Sequence, residues 1–424
     1  MPVTRAPLTD RPLVHYTATG WLNDPHGIVY RDGRYHVFFQ SIPDSLTWRV
    51  GCAWGHASGP SLFELETHAL ALAPGDGDDG VWTGCVVLDG DTARAYYTAV
   101  SGEDRDQGRI REAVSVDPDL VVWEKRDVVI EPPVDPAQVA FRDPVIRWVD
   151  GHWLMTVGAA LTDGRAVALA WSSPTLDDWR AEGIVAERAA SERDPWTGTL
   201  WECPQFVDVD GVTVLITSVW ADDVSYNTAY AVGRWVEGRY VADSWGELSS
   251  GTVHYAPSVF HDADGRPCVL FWLRGVDDEG AGWAGAHSVP YLIGVEDGRV
   301  RLRPHPDLDR FRAPAVNGPT VVGPAVEEGS FVVTTTLRDK DILGVMDETP
   351  ERLVMVEAGH GQVGVWIGSD FHLVRADGGE VQVIFDRGIV EVVTPAGLVG
   401  GQVAPRPVRV AGNGDFVVEP LRRD

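Results

Sequence analysis

The chain has 424 residues, and its apolar fraction of 44% is enough to build large cores. Its formal charge of −28 disfavours nucleic acid and anionic membrane as partners, because their phosphates are bound by lysine and arginine. The four cysteines are far apart and match no zinc-binding spacing, so neither a metal site nor a disulfide framework is expected.

The start of the chain, "MPVTRAPLTDRPLVHY", lacks the apolar stretch of a secretion signal, and no segment approaches the 18 or so consecutive apolar residues of a membrane span. These features predict a cytoplasmic protein. A secreted chain whose signal had been removed would look similar. The sequence gives no indication of the oligomeric state.

Short strand-like runs bounded by Gly, Asp and Pro recur in the first part of the chain. Asp-Gly between such runs favours a hairpin, because both residues tolerate positive φ. Five of these pairs recur at intervals of 54 to 61 residues, and each follows another strand-like run; they begin at Asp32, Asp89, Asp150, Asp210 and Asp264. This repeat predicts an all-β fold with a five-bladed β-propeller, and an irregular all-β protein is the alternative.

The composition changes near residue 300. The segment "RLRPHPDLDRFRAPAV" is rich in Pro and Arg, and short alternating strands follow it. The predicted domains are a propeller over residues 1–300, a linker over 301–314 and a β-sandwich over 315–424.

Three carboxylates occupy similar places in the repeat. Asp24, Asp143 and Glu202 lie seven or eight residues before an Asp-Gly turn, in the settings "NDP", "FRDP" and "WECP". Thr83 and Pro257 hold the corresponding places in the other two units. Because the first strand of each propeller blade lines the central channel, these residues are predicted to converge on the axis.

Clustered carboxylates raise one another's pKa, which separates an acid from a base. A pair about 5–5.5 Å apart is what retaining glycoside hydrolysis requires. Sugar faces also stack on aromatic rings, although tryptophans equally serve blade packing. The candidates are Trp21, Trp48, Trp54, Trp82, Trp201 and Trp283.

Six motifs, in order from Trp21 to Pro290, resemble those of glycoside hydrolase family 32, the β-fructofuranosidases, and "IFDRGIVEVVTPAG" resembles a strand pair of the family's sandwich, so the resemblance covers nearly the whole chain. "WLNDPHG" resembles the family's W-M-N-D-P-N-G, "FRDP" its R-D-P and "WECP" its Glu-Cys motif. "WTGCVV", "HYAPSVF" and "GWAGAHSVP" resemble three further motifs. The resemblance implies a five-bladed propeller followed by a β-sandwich.

The resemblance also implies roles. Asp24 is expected to be the nucleophile, Glu202 the acid and base, and Asp143 the stabiliser of the transition state. Cys203 is expected either to tune the pKa of Glu202 or to be a small buried residue. The residues expected to bind the sugar are Asn23, Gln40, Trp48, Trp82, Thr83, Arg142, Tyr255 and Trp283.

The implied activity is release of terminal β-D-fructofuranosyl units from sucrose, fructo-oligosaccharides or fructans, with no metal or cofactor. The alternatives are a fructosyltransferase with the same site, a pentoside-cleaving propeller hydrolase and a non-catalytic carbohydrate-binding propeller. The sequence departs from the family at His26, Val253 and His254, which places the leaving-group side of the substrate in question. It does not distinguish exo from endo cleavage.

Overall fold

The fold is almost entirely β-strand in the computed structural model of the chain. The residues that the structure describes are 11–102, 104–323, 326, 329–347 and 352–423. No helix among them is long and apolar enough to cross a membrane. The predicted all-β class is confirmed, while the ends of the predicted domains at residues 1–10 and 424 lie outside the described residues.

Five consecutive units of mainly antiparallel strands account for the chain up to Pro304. Units 1 and 2 consist of β1 Gly20–Arg31, β2 Arg34–Ile42, β3 Ala53–Gly59, β4 Glu66–Thr67, β5 Gly80–Asp89, β6 Thr92–Ser101, β7 Asp104–Ser115 and β8 Trp123–Ile130. Units 3 and 4 consist of β9 Gln138–Val149, β10 His152–Leu161, β11 Arg165–Ser173, β12 Arg180–Ala189, β13 Leu200–Val209, β14 Val212–Ala221, β15 Val224–Val236 and β16 Arg239–Glu247. After the short β17 Ser249–Ser250, unit 5 consists of β18 His254–His261, β19 Pro267–Asp278, β20 Trp283–His287, β21 Tyr291–Glu296 and β22 Arg299–Pro304.

The predicted Asp-Gly turns connect the first strand of each unit to the second. At Asp32, Asp150 and Asp210 the aspartate has φ near 50° and the following glycine has φ above 80°. Two successive residues with positive φ form the tight turn that matches the twist of paired strands. The hairpins that the sequence predicted are therefore confirmed.

The first strands of the units lie side by side in chain order. β1 contacts β5, β5 contacts β9, β9 contacts β13, β13 contacts β18, and β18 returns to β1. The ends of these strands therefore face a common centre. Unit 1 is also joined to unit 5 by parallel pairing of Gly20 with Trp283, so the last unit holds the first strand in place.

Two further sheets complete the fold. They are built from β23 Val316–Asn317, β24 Thr320–Val321, β25 Ser330–Leu337, β26 Ile342–Met346, β27 Arg352–Gly359, β28 Gln362–Ile367, β29 Asp370–Val374, β30 Gly379–Asp386, β31 Ile389–Thr394, β32 Gly397–Gln402, β33 Arg409–Gly412 and β34 Phe416–Pro420. The strand order is β17-β32-β31-β30-β25-β34-β23 in one sheet and β24-β33-β26-β27-β28-β29 in the other. Val333 and Phe385 of the first sheet share one buried cluster with Val356 and Val365 of the second.

The segment predicted as a linker is packed against both parts of the chain. It contains the end of β22 and a 3-10 helix, Pro306–Phe311, with Leu308 and Phe311 buried. Both side chains belong to an apolar cluster that also contains Phe271 of unit 5 and Val332 of the seven-stranded sheet. This region therefore contributes to a core between the units and the seven-stranded sheet.

Contacts between buried charged and polar side chains also connect the units with the seven-stranded sheet. The ring nitrogens of His15 lie 2.9 Å from Asp386 Oδ2 and 2.9 Å from Glu391 Oε1. Glu391 Oε2 accepts hydrogen bonds from Tyr291 Oη and His254 Nε2, each at 2.7 Å. Burial opposes a charge on His15, but the hydrogen bonds to both carboxylates outweigh it and raise its pKa to about 9. His254, a departure from the family motif, thus contacts the seven-stranded sheet.

A stack of buried histidines in unit 1 predicts that the fold loses stability at acid pH. His36 Nδ1 lies 3.1 Å from His56 Nε2, and the rings of His56 and His68 are 4.6 Å apart. Burial lowers the pKa of His56 to about 2 and that of His36 to about 4. The unfolded chain therefore binds these protons first, near pH 6.5, and stability falls as the pH drops from 6.5 towards 4.

We expect His56→Phe to reduce this acid sensitivity, because phenylalanine has no group that the unfolded chain can protonate. The variant should fold, since its ring can still stack on Phe38, which lies 4.5 Å from the His56 ring. Each neutral buried histidine costs about 1.4 kcal/mol of stability per pH unit in this range. Chemical denaturation at pH 7 and pH 5 measures the slope. An unchanged slope in the variant would show that other groups govern acid unfolding.

Candidate active site

The candidate site lies where the first strands are interrupted by bulges. In each unit the pairing between the first and second strands shifts at one corresponding place; these places are Leu22–Pro25, Trp82–Gly84, Arg142–Val145, Glu202–Gln205 and Tyr255–Ser258. Bulges re-aim side chains and are common beside active sites. Here they direct side chains of all five units towards the common centre.

Backbone strain accompanies three of the bulges. Asp143, Cys203 and Ala256 have φ of 67°, 51° and 45°, and each precedes a proline. Non-glycine residues in this region cost about 1–3 kcal/mol each and are concentrated at functional sites. Aligned on these prolines, Glu202 lies one residue earlier than Asp143, at the position of Arg142. The predicted alignment of Glu202 with Asp143 is therefore wrong by one residue, because Glu202 lies eight residues before its Asp-Gly turn and Asp143 seven, while the two bulges lie at matching places.

Asp24 is held by donors from three places in the chain. Thr83 Oγ1 donates to its Oδ2 at 2.6 Å, Gln40 Nε2 donates to the same oxygen at 3.1 Å, and Asn23 Nδ2 donates to Oδ1 at 2.9 Å. Burial raises its pKa, against the lowering by these hydrogen bonds, and the charge of Glu202 adds to the rise. The carboxylate is thus oriented by hydrogen bonds and poorly solvated.

Glu202 has cationic and phenolic partners. Arg142 donates to its Oε1 from Nε at 3.0 Å and from Nη2 at 2.9 Å, and the Tyr255 hydroxyl donates to Oε2. Arg142 was expected to bind the sugar, and its guanidinium hydrogen-bonds Glu202. Because one carboxylate is held by neutral donors and the other by an arginine, Asp24 and Glu202 have different electrostatic surroundings.

Asp143 accepts a hydrogen bond from the backbone of the bulge in the neighbouring unit. The Cys203 backbone N–H donates to Asp143 Oδ2 at 2.9 Å, and the Cys203 thiol lies 3.7 Å from the same oxygen. Burial and the charge of Glu202 raise the pKa of Asp143. The thiol predicted to act on Glu202 therefore contacts Asp143, and burial raises its own pKa well above the ordinary value.

The predicted sugar-binding residues divide into two groups. Trp48 is 40% exposed, and its ring stands edge-on to Trp82, with 5.8 Å between centroids. Gln40 also donates to Thr83 at 2.6 Å, which links two of the predicted residues beside Asp24. Trp283, by contrast, is buried in an apolar cluster with Leu273 and Ile389. The structure therefore brings Gln40 and Thr83 together at Asp24, whereas Trp82, like Trp283, lies in an apolar cluster, and its indole N–H donates to the Val50 carbonyl oxygen.

His26 is buried behind the carboxylates. Its ring packs on Trp54 with 4.2 Å between centroids, and burial lowers its pKa to about 3. It lines a cavity of about 190 Å³ together with Thr83, Cys203 and Gln205. The residue that departs from the family motif thus lies as a neutral ring against the inner side of the site.

Two residues that the sequence analysis missed surround Arg142. The guanidinium carbon lies 5.4 Å from the centre of the Trp220 ring, and Nη1 lies 3.7 Å from Asp106 Oδ1. Asp106 precedes no proline and occupies a third strand, so the repeat offered no signal for it. Trp220 is at the end of a second strand, beside the hairpin Asp222-Asp223.

A separate group of possible metal ligands is already hydrogen-bonded. Asp262, Cys268 and His305 are buried and close together. The Asp307 backbone N–H donates to His305 Nδ1 at 3.2 Å, so the ring proton lies on Nε2, which is 3.1 Å from Asp262 Oδ2. Arg266 Nε donates to the same oxygen at 2.6 Å. The group is thus accounted for as a hydrogen-bond network.

The fold is shared with solved structures. A β-fructofuranosidase of Bombyx mori, solved in complex with sucrose, superposes with a TM-score of 0.82 at 22% identity and covers 98% of this chain and 94% of that one. A fructan 1-exohydrolase of Cichorium intybus, in complex with 1-kestose, gives a TM-score of 0.82 at 18% identity, covering 99% and 98%. The class of fold is therefore that of these carbohydrate-cleaving enzymes.

The sequence itself identifies the family. Residues 15–306 match the glycosyl hydrolases family 32 N-terminal domain, so the chain belongs to glycosyl hydrolases family 32. A raffinose invertase of Escherichia coli is 31% identical over 321 residues, which are 71% of this chain and 66% of that protein. A sucrose-6-phosphate hydrolase of Bacillus subtilis is 31% identical over 315 residues, which are 69% and 64%. The chain spans less than two thirds of the length of these curated relatives, and the resemblance noted in its motifs is confirmed.

Proposed function

We propose that the chain is a retaining glycoside hydrolase that releases terminal β-D-fructofuranosyl units from sucrose, fructo-oligosaccharides or fructans. The single observation that carries the proposal is the convergence of three carboxylates, from three different units, with distinct partners. The names of the related invertase and hydrolase support the substrate class. The small neutral sugar would be the partner, and the reaction would use no cofactor.

We propose a five-bladed propeller over residues 1–300 and a β-sandwich over 315–424. The neighbouring first strands, with β18 beside β1, support the propeller. The buried cluster between the last two sheets supports the sandwich. In this arrangement the carboxylates lie at the entrance of the central channel, where a terminal sugar would enter.

The proposed reaction has two displacements. In the first, an oxygen of Asp24 bonds to C2 of the fructosyl unit while the bond from C2 to the leaving oxygen breaks, and Glu202 gives that oxygen its proton. In the second, Glu202 takes a proton from water, the water oxygen bonds to C2, and Asp24 leaves. Asp143 would contact sugar hydroxyls while positive charge develops on the ring.

Initial rates on sucrose, 1-kestose, inulin and levan test the substrate class. We expect hydrolysis of at least one, with β-fructofuranose as the first product detected by NMR before mutarotation. Inversion at C2 would contradict the nucleophile assignment. Absence of fructose release from all four, together with cleavage of an aryl arabinoside, would favour the pentoside-cleaving alternative.

A fructosyltransferase is the second candidate, because the same fructosyl-enzyme can be attacked by a sugar hydroxyl. The exposed Trp48 beside Trp82 offers an aromatic surface for such an acceptor. Product analysis at high sucrose distinguishes the two. Free fructose and glucose in equal amounts indicate hydrolysis, whereas an excess of glucose with new oligosaccharides indicates transfer.

A further inference from the structure

The guanidinium of Arg142 forms ion pairs with two carboxylates, Glu202 and Asp106, and the charge of Asp143 also acts on it. The candidate mechanism gives no role to Asp106. Nε and Nη2 both donate to Glu202, whereas Nη1 is buried and makes no hydrogen bond to any residue in the described part of the chain. Asp106 Oδ1 is 3.7 Å from Nη1, just beyond hydrogen-bond distance. The Arg142 side chain is 6% exposed, so an unpaired charge there is costly.

The proposed first step removes the counter-ion of Arg142. Glu202 must carry a proton to give to the leaving oxygen, and a neutral carboxyl no longer balances the guanidinium. The face of Trp220, 5.4 Å from the guanidinium carbon, stabilises the cation but does not neutralise it. A second carboxylate within reach would keep the buried charge paired while Glu202 is neutral.

We propose that Asp106 is this positioning residue: Arg142 pairs with Glu202 when Glu202 is ionised and with Asp106 when Glu202 is protonated. Asp106 lies on β7 of unit 2, and its side chain is 44% exposed, so it can move towards Nη1 without disturbing a core. It touches neither the sugar nor the reacting atoms in this scheme. The proposal rests on the function proposed above, because it assigns Glu202 a protonated form.

The charge of Asp106 then favours the acid form of Glu202. With Asp106 present, part of the Arg142 charge is balanced by a second carboxylate. Without it, only Asp143 balances part of the Arg142 charge, so more positive charge faces Glu202, and we expect Glu202 to lose its proton at lower pH. The other titratable or charged groups that face this pair are Asp24, Asp143, Cys203 and Tyr255. None of them changes in the experiment that follows.

We expect Asp106→Asn to shift the alkaline limb of the pH profile of kcat/KM on sucrose to lower pH by about half a unit to one unit. Activity on the acid side of the optimum should remain within about threefold. Asp106→Glu should restore the wild-type limb. With p-nitrophenyl β-fructofuranoside, whose leaving group needs no proton, the alkaline loss in Asp106→Asn should be absent.

Asp208→Asn is the matched control. Its carboxylate is also an exposed partner of an arginine, 2.9 Å from Arg147 Nη2, but it lies at the opposite end of the strand that carries Glu202. An Asp106→Asn profile identical to that of Asp208→Asn, or a uniform loss at every pH, would overturn the proposal. A wild-type protein inactive on all fructosides would instead contradict the proposed function.

Discussion

Replacing Asp24 by asparagine is expected to lower kcat on sucrose by about 10⁴-fold or more while leaving the fold intact. Asparagine has nearly the same shape, and its oxygen can still accept from Thr83 and Gln40, which donate to Asp24 Oδ2 at 2.6 and 3.1 Å. It cannot form the ester with C2 of the sugar. The expected loss therefore comes from the missing nucleophile and not from a collapsed site.

Asp32→Asn is the control for this experiment. It makes the same chemical change in the same hairpin, at a turn residue with φ of 50° and a side chain that is 84% exposed. Asparagine tolerates this backbone conformation, so both activity and melting temperature should be retained. Hydrolysis by Asp24→Asn within about tenfold of the wild-type rate would refute the assignment of Asp24.

Replacing Glu391 by glutamine is expected to have the largest effect on stability, a loss of about 3–5 kcal/mol in the free energy of unfolding. The change removes one charge from a fully buried network and leaves the cation of His15 with Asp386 alone. Hydrogen bonds from His15 and His254 outweigh burial and lower the pKa of Glu391 to about 2. The stability of the folded protein therefore depends on the ionised form of Glu391.

The pH dependence distinguishes this electrostatic loss from a packing defect. The pKa of His15 is raised from 6.5 to about 9, so its stabilisation is complete below pH 6.5 and is lost as the pH rises through 9. The pKa of Glu391 is lowered from 4.5 to about 2. The stabilisation that Glu391 contributes is therefore complete above pH 4.5 and is lost as the pH falls through 2. The difference between wild type and variant should be largest between these two limits, near pH 4.5 to 6.5.

Chemical denaturation at pH 6 and pH 9.5 measures this difference, with Glu380→Gln as the control. Glu380 is an exposed residue of β30, in the same sheet as Glu391. We expect no measurable change in that control. A Glu391→Gln protein as stable as Glu380→Gln at pH 6 would show that the network contributes nothing.

The sequence predicted the hairpins and the three carboxylates because both depend on local patterns. Asp-Gly requires only two residues with positive φ, and the motifs around Asp24, Asp143 and Glu202 are each a few residues long. The one-residue error at Glu202 arose because positions seven and eight residues before a turn were treated as equivalent, although neighbouring residues of a strand differ in direction.

The partners of those carboxylates could not be predicted in the same way. Cys203 follows Glu202 in the chain, but its backbone N–H donates to Asp143, which lies 60 residues earlier on the first strand of the neighbouring unit. Trp283 follows a turn in a family-like motif, yet its ring is buried in a core. Contacts such as His15 with Asp386, 371 residues apart, leave no local trace at all.

The contact of His15 with Asp386 and Glu391 has a consequence for biosynthesis. The backbone N–H groups of Leu13 and Val14 also donate to Asp386, at 2.9 and 2.8 Å, and Arg423 Nη2 donates to the carbonyl oxygen of Leu13 at 2.8 Å. The first described residues to be synthesised therefore form their hydrogen bonds only after nearly the last residues have been synthesised. Until Asp386 and Glu391 have been synthesised, His15 has no carboxylate partners and cannot take its buried place. In a nascent chain stalled before residue 386, the N-terminal segment should therefore be sensitive to proteases.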